Sequence, residues 1–139
     1  MKYFTIVFSL YFICSCSGAH KNTKPADGFT TTASGLKYKI LQKGSGAAAQ
    51  VGQEVLIRET TSYLNGTVLY SNETSGSPVK VLIGGNQATT AVDEGLRGMQ
   101  VGEVRQLIAN PNLVRRKSYP PNVSPDSALS IKIILHKIL

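Results

Sequence analysis

One alternating segment and the turn that follows it constrain the fold of this chain most. Every second residue of a strand faces the same side, and the residues that share one side here are Val55, Ile57, Glu59, Thr61 and Tyr63. Directly afterwards, Asn65-Gly66 favours a two-residue hairpin turn, because Asn and Gly tolerate the positive φ that such turns need. The chain then returns through residues 67–70. The pattern predicts an antiparallel hairpin with a carboxylate on its inward face.

Apolar spacing indicates further strands and a single helix. Alternation recurs at residues 36–40, 79–83, 104–109 and 129–138. Val92, Leu96 and Met99 fall at i, i+4 and i+7, and Thr89 or Thr90 can cap the helix that carries them. Many strands and one short helix predict an α+β domain, an antiparallel sheet wrapped around the helix.

The distribution of aromatic residues limits the chemistry of any site in this domain. All four Phe lie early in the chain, the last at Phe29, and there is no Trp. From Gly35 onward the aromatic residues are Tyr38, Tyr63, Tyr70 and Tyr119. A pocket walled by several aromatic rings is therefore not expected.

The first residues have the pattern of an export signal. Lys2 precedes an apolar run of about ten residues, which is about half the length that a membrane-spanning helix needs. The segment Ile13-Cys14-Ser15-Cys16 resembles a bacterial lipobox. We expect a signal peptide at residues 1–15, lipidation of Cys16, a flexible tether at 16–34 and the folded domain at 35–139. The alternative is an ordinary secretory signal cut after Gly18 or Ala19.

Charge and ligand-type residues exclude several classes of function. The formal net charge is +7, but the lysines are spread along the chain, which indicates a basic surface and not a nucleic-acid site. The two cysteines, at 14 and 16, lie in the signal region, and His20 and His136 are isolated. We therefore predict no disulfide, no metal and no cofactor.

A series of short motifs gives this chain its resemblance to a known family. In chain order they are SGLKYKILQKGSG at 34–46, NGTV at 65–68, NQ at 86–87, EGL at 94–96, VG at 101–102, PNL at 111–113, and Pro125 with Leu129. At these spacings the chain resembles an FKBP-type peptidyl-prolyl isomerase domain. The resemblance implies an FKBP-like sheet around one helix, and a site that binds an Xaa-Pro bond and favours its twisted amide. Such a site needs no nucleophile or acid–base pair.

The resemblance also assigns the pocket positions, and most of them hold residues that the family does not use. The family's pocket positions fall at Glu59, Leu69, Tyr70, Val79, Ala88, Thr89, Val92, Arg115 and Ile131. Glu59 and Tyr70 stand where the family has Tyr and Asp, so the donor and acceptor are exchanged. We expect these two side chains to be hydrogen-bonded, with Arg115 close to them. The alternative is that Glu59 reaches solvent at the edge of a shallow cleft.

The residues and the resemblance together lead to one functional hypothesis with alternatives. We expect a lipoprotein anchored in the cell envelope, with the outer membrane favoured, that faces the periplasm. Its domain would act on proline-containing segments of exported proteins, with weak or lost isomerase activity. The alternatives are a non-catalytic chaperone-like or assembly module that binds an envelope protein, and a structural component with no ligand. The basic loop Arg115-Arg116-Lys117 either recognises an acidic or anionic partner or is simply solvated.

Overall fold

A computed structural model describes residues 27–74 and 76–139. Its strands are β1 (Thr30–Thr31), β2 (Lys37–Gln42), β3 (Glu54–Tyr63), β4 (Val68–Ser71), β5 (Val79–Leu82), β6 (Val104–Ala109) and β7 (Leu129–Ile138). One α-helix, α1, runs over Thr90–Leu96, and a short 3-10 turn covers Pro111–Leu113. The predicted α+β class, an antiparallel sheet with one short helix, is confirmed.

The strands form one antiparallel sheet in the order β1-β2-β6-β7-β3-β4. The long strand β3 pairs along one edge with β7. Two short strands share its other edge: β5 pairs with its first half, from Glu54 to Ile57, and β4 pairs with its second half, from Thr60 to Ser62. The segment between β4 and β5 therefore leaves the sheet at the middle of β3, next to Glu59.

The helix packs its apolar side on the sheet and closes the core. Ala91, Val92, Gly95 and Leu96 of α1 are buried. A Cβ atom built on Gly95 would lie 2.5 Å from a methyl carbon of Leu107, which is itself fully buried on β6. The glycine thus permits a closer approach of helix and sheet than any side chain would.

A buried ion pair ties the end of this helix to the sheet. The Arg105 guanidinium contacts the Glu103 carboxylate at 2.6 Å and donates to the carbonyls of Gly95 and Arg97 at 2.9 and 3.2 Å. Both charged side chains are almost fully buried. Because these carbonyls lie at the carboxyl end of α1, where backbone acceptors lack partners, Arg105 satisfies them and fixes where the helix stops.

The predicted signal peptide, Cys16 and most of the predicted tether lie outside the described residues. The last part of that tether, from residue 27, includes β1, whose Thr30 and Thr31 pair with Tyr38 and Lys37 of β2. The sheet thus begins before the predicted domain boundary at Gly35. No helix in the described ranges is long and apolar enough to cross a membrane.

Candidate functional site

A cleft of about 630 Å³ opens between the start of α1, the middle of the sheet and the loop that follows the 3-10 turn. β3, β4 and β5 contribute to one side, and residues 86–89 and α1 form another. The lining residues are Ile57, Glu59, Tyr70, Val79, Val81, Asn86, Gln87, Ala88, Thr89, Val92, Arg115, Arg116 and Lys117.

Aliphatic side chains line the deeper part of this cleft. Ile57, Val81 and Val92 are buried, at 1%, 4% and 5% exposure. Val79 is 42% exposed, and Tyr70, at 45%, is the one aromatic residue among the described residues that line the cleft. A small apolar group such as a prolyl ring has aliphatic surface to contact here, but it gains little aromatic packing.

Glu59 places a carboxyl group within the apolar part of the cleft. It lies on β3 between Ile57 and Thr61, opposite Ile133 of β7. Burial raises the pKa of the Glu59 carboxyl above its usual value of 4.5, and the positive charge of Arg116 acts in the opposite direction. The raised pKa means that the ionised form is held in a poorly solvated place.

Asn72 and Arg58 fix the backbone beside Glu59. The Glu59 N–H donates to Oδ1 of the buried Asn72 at 2.7 Å, and the Asn72 N–H donates to the Glu59 carbonyl at 3.1 Å. From the other face of β3, Nη1 of Arg58 donates to the carbonyls of Asn72 and Gly76, at 2.8 and 3.1 Å. These bonds hold the β4–β5 connection against β3 and so position Tyr70 and Val79 on either side of it.

Thr89 contributes a buried hydroxyl at the start of the helix. It is the N-cap residue of α1, but its side chain makes no capping hydrogen bond. Within the described part of the chain, its Oγ1 is the one buried side-chain polar atom without a hydrogen-bond partner. An unpartnered hydroxyl costs folding free energy, so this position is not optimised for stability alone.

Most of the predicted pocket residues meet in this one cleft. Glu59, Tyr70, Val79, Ala88, Thr89, Val92 and Arg115 line it. Leu69 and Ile131 do not line it. Leu69 is half-buried against the core, and its neighbour Tyr70 takes the cleft position. Ile131 is 1% exposed and belongs to the core, on β7 opposite Thr61.

The hydrogen bond predicted between Glu59 and Tyr70 is not formed. Both side chains line the cleft, but the hydrogen bonds among the described residues include none between them. Tyr70 pairs with Thr61 and Asn72 lies opposite Glu59, so Glu59 and Tyr70 are diagonal neighbours on one face of the sheet, and the Tyr70 side chain remains 45% exposed. The positive charge of Arg116 lowers the pKa of the Glu59 carboxyl, against the larger effect of burial.

Residues absent from the predicted pocket also line the cleft or support it. The positions of Ile57 and Val81 in the cleft could have been predicted from the sequence, because these residues share the inward alternation of Glu59 and Val79. Arg116 and Lys117 were recognised only as parts of a basic loop. The supporting roles of Asn72 and Arg58 could not be predicted from the sequence, since a polar residue after a strand predicts only a turn.

Comparisons with known proteins agree with this geometry. Residues 45–136 match the FKBP-type peptidyl-prolyl cis-trans isomerase family. The chain is 34% identical over 122 residues to the peptidyl-prolyl cis-trans isomerase Mip of Coxiella burnetii, covering 84% of this chain and 49% of that protein. It is 32% identical over 104 residues to Mip of Chlamydia pneumoniae, covering 73% of this chain and 40% of that protein. The chain thus spans less than half the length of these relatives.

Two solved structures share the fold. FkpA from Escherichia coli superposes with a TM-score of 0.70 at 24% identity, over 81% of this chain and 52% of that one. AtFKBP13 superposes with a TM-score of 0.70 at 24% identity, over 80% of this chain and 98% of that one. At this level of identity the two structures support the fold, while the family match depends on the sequence.

Proposed function

Because the chain belongs to the FKBP-type peptidyl-prolyl cis-trans isomerase family, we propose that its cleft binds proline-containing segments of other proteins and isomerises them slowly. The observation that carries this proposal is the cleft lining, which combines an aliphatic floor with a single aromatic residue, Tyr70. The floor offers aliphatic surface that a prolyl ring could contact. The additional aromatic side chains that would speed rotation about the Xaa-Pro bond are missing from the cleft lining.

Rotation about an Xaa-Pro bond is accelerated by a dry, well-packed site. The planar amide resists rotation with a barrier of ~18–20 kcal/mol, and a site that excludes water favours the twisted form. In this cleft Val79 and Val92 are aliphatic, and Glu59 and Arg115 bring charge close to the amide. Each aromatic contact is worth ~0.5–1.5 kcal/mol beyond area burial. Three missing contacts would slow turnover by about ten- to two-thousand-fold.

The test is an NMR exchange measurement on a neutral, blocked Xaa-Pro peptide, because one experiment reports both binding and turnover. We expect peptide-induced shift changes at the cleft, and cis–trans exchange far slower than with a family member that has an aromatic pocket. Val79→Gln should weaken both effects, since Val79 lines the cleft and is 42% exposed, so the change leaves the core intact. Val51→Gln is the matched control, at a valine that is 61% exposed and outside the cleft.

Three other results would change or contradict the proposal. Rapid exchange, sensitive to Val79→Gln, would show that an aliphatic cleft suffices for efficient catalysis. Binding without any exchange would favour the second candidate, a non-catalytic chaperone-like or assembly module. The observation that favours this second candidate is the presence of Glu59 and Arg115 at positions where charge and water oppose catalysis. Absence of binding would contradict both.

We further propose that the domain works in the cell envelope, anchored by a lipid on Cys16 and facing the periplasm. The support is the sequence pattern of an export signal that ends in Ile13-Cys14-Ser15-Cys16. A lipid anchor with a second and third acyl chain would hold the protein on a membrane stably. Mass spectrometry of the mature protein should find an acylated Cys16 at its amino terminus, and Cys16→Ala should release the protein from membranes. An unmodified Cys16 would contradict this part of the proposal.

A further inference from the structure

The cleft carries an excess of positive charge at its outer edge. Arg115, Arg116 and Lys117, here called the cationic rim, are all exposed and all line the cleft. In the described part of the chain, none of the three forms a salt bridge, since every such pair involves other residues. The one acid among the lining residues is Glu59, on the strand below. The rim therefore has cationic charge that forms no salt bridge with a carboxylate of the described residues.

The loop that carries the cationic rim is fastened to the domain on both sides. Leu113 and Val114, directly before Arg115, are 5% and 2% exposed and belong to the core. Within the loop, the Arg116 N–H donates to the Tyr119 hydroxyl oxygen at 3.3 Å. Further along, the Tyr63 hydroxyl donates to the Asn122 carbonyl at 2.9 Å. A braced loop loses less conformational entropy when it binds a ligand than a free loop does.

We infer that this cleft selects proline-containing segments in which an acidic side chain lies next to the proline or within about two residues of it. The inference rests on the proposed function and adds the chemical class of the preferred segment. With the prolyl ring on the aliphatic floor, an extended segment advances about 3.3–3.6 Å per residue, so an adjacent acidic group reaches the rim. The apolar floor around Glu59 is an unfavourable place for a second carboxylate, which keeps the acidic group at the rim.

The concave shape favours a peptide over a membrane surface as the partner of the cationic rim. Arginine and lysine clusters also attract anionic lipids, but they do so from surfaces that lie against the bilayer. Here the three cations border an aliphatic cleft of about 630 Å³, and their charges converge on the same space as Val79 and Val92. A segment that fills the cleft contacts both features at once.

The experiment compares two pairs of blocked peptides that differ by one isosteric change. The two peptides of the first pair have Glu or Gln directly before proline. The two peptides of the second pair have Glu or Gln directly after proline. Dissociation constants are measured by NMR titration of the full chain at about 20 mM and about 300 mM salt. Exposed ion pairs correspond to about a 1.5- to 5-fold effect each. We expect the Glu peptide of at least one pair to bind several-fold more tightly at low salt, and less so at high salt.

Charge-removing variants connect this preference to the rim. The triple variant Arg115→Gln, Arg116→Gln, Lys117→Gln should reduce the Glu-to-Gln affinity ratio to about one. Lys37→Gln is the control, because Lys37 is an exposed cation on β2, which β6 and β7 separate from β3, and it should leave the ratio unchanged. A Glu preference that persists in the triple variant would overturn the inference.

The remaining outcomes separate this inference from the proposed function. Equal affinity for Glu and Gln peptides would overturn the acidic preference and leave prolyl-segment binding intact. Failure to bind any of the peptides would overturn both. Vesicles of phosphatidylglycerol and phosphatidylethanolamine provide the last arm. Rim-dependent binding to these vesicles, together with equal peptide affinities, would assign the rim to a lipid surface and overturn the inference.

Discussion

Replacement of Arg105 by Met should strongly destabilise the domain. Arg105 and Glu103 form an ion pair in which the side chains are 8% and 5% exposed. Arg105→Met keeps the apolar stem but leaves the Glu103 carboxylate in the interior without its partner. The carbonyls of Gly95 and Arg97 also lose the donor that satisfies them at the end of α1.

The expected loss follows from these contacts. Breaking a buried ion pair by removing one partner costs about 3–5 kcal/mol of the free energy of unfolding. For a domain of about 100 residues, each kcal/mol lowers the Tm by about 4 °C, so we expect a fall of about 12–20 °C. Chemical denaturation followed by circular dichroism, together with a thermal scan, measures both quantities.

Two comparison variants identify the cause of the loss. Arg97→Met removes an arginine at the same end of the helix, but its side chain is 51% exposed and pairs with Asp93, so the cost should stay below about 1 kcal/mol. In the double variant Glu103→Leu, Arg105→Met no charge is stranded, and its stability should exceed that of Arg105→Met. If Arg105→Met costs less than about 1 kcal/mol, or if the double variant is the least stable, the reasoning is refuted.

Three other variants test single features of the site and its support. Burial raises the pKa of Glu59, so the stability that this carboxyl contributes is present below about pH 4.5 and is lost as the pH rises through the folded pKa. Glu59→Gln should therefore gain stability over the parent as the pH rises above about 4.5, and a pH-independent difference would contradict this. Thr89→Val removes a buried hydroxyl without a partner and should stabilise the domain by about 1 kcal/mol in urea denaturation, whereas Thr89→Ser should not. Gly95→Ala would place a methyl group 2.5 Å from a carbon of the buried Leu107. The variant should be less stable, because overpacking costs about 1–3 kcal/mol and the gain in helix propensity is at most about 1 kcal/mol. A more stable variant would show that Leu107 has room to move.

The fold was predictable because strand and helix periods are local properties of the sequence. The alternation of Val55, Ile57 and Glu59 correctly gave the inward face of β3, and the spacing of Val92 and Leu96 gave the buried face of α1. The family resemblance then placed most of the cleft residues together. These patterns depend on which face of a strand or helix a side chain occupies, and that face follows from the position of the residue within the element.

The details of the site were less predictable because they depend on the pairing of distant strands. The expected bond between Glu59 and Tyr70 depends on the side-chain conformations of two diagonal neighbours, which the alternation along each strand does not specify. Ile131 was assigned to the pocket by resemblance, but in this chain it is a core residue. The interaction of Asn72 with Glu59 joins positions whose pairing is decided only when β4 leaves the sheet.

The position of β7 in the sheet has a consequence for how the protein is made. β7 is the last strand in chain order, yet it lies between β6 and β3 at the centre of the sheet. Leu129 of β7 pairs with Tyr63 of β3, more than sixty residues earlier in the chain. This pairing closes a long loop and gives the domain a high contact order, which slows folding. A chain that emerges amino terminus first exposes the unpaired edges of β3 and β6 until β7 arrives. During that interval the nascent protein is open to aggregation.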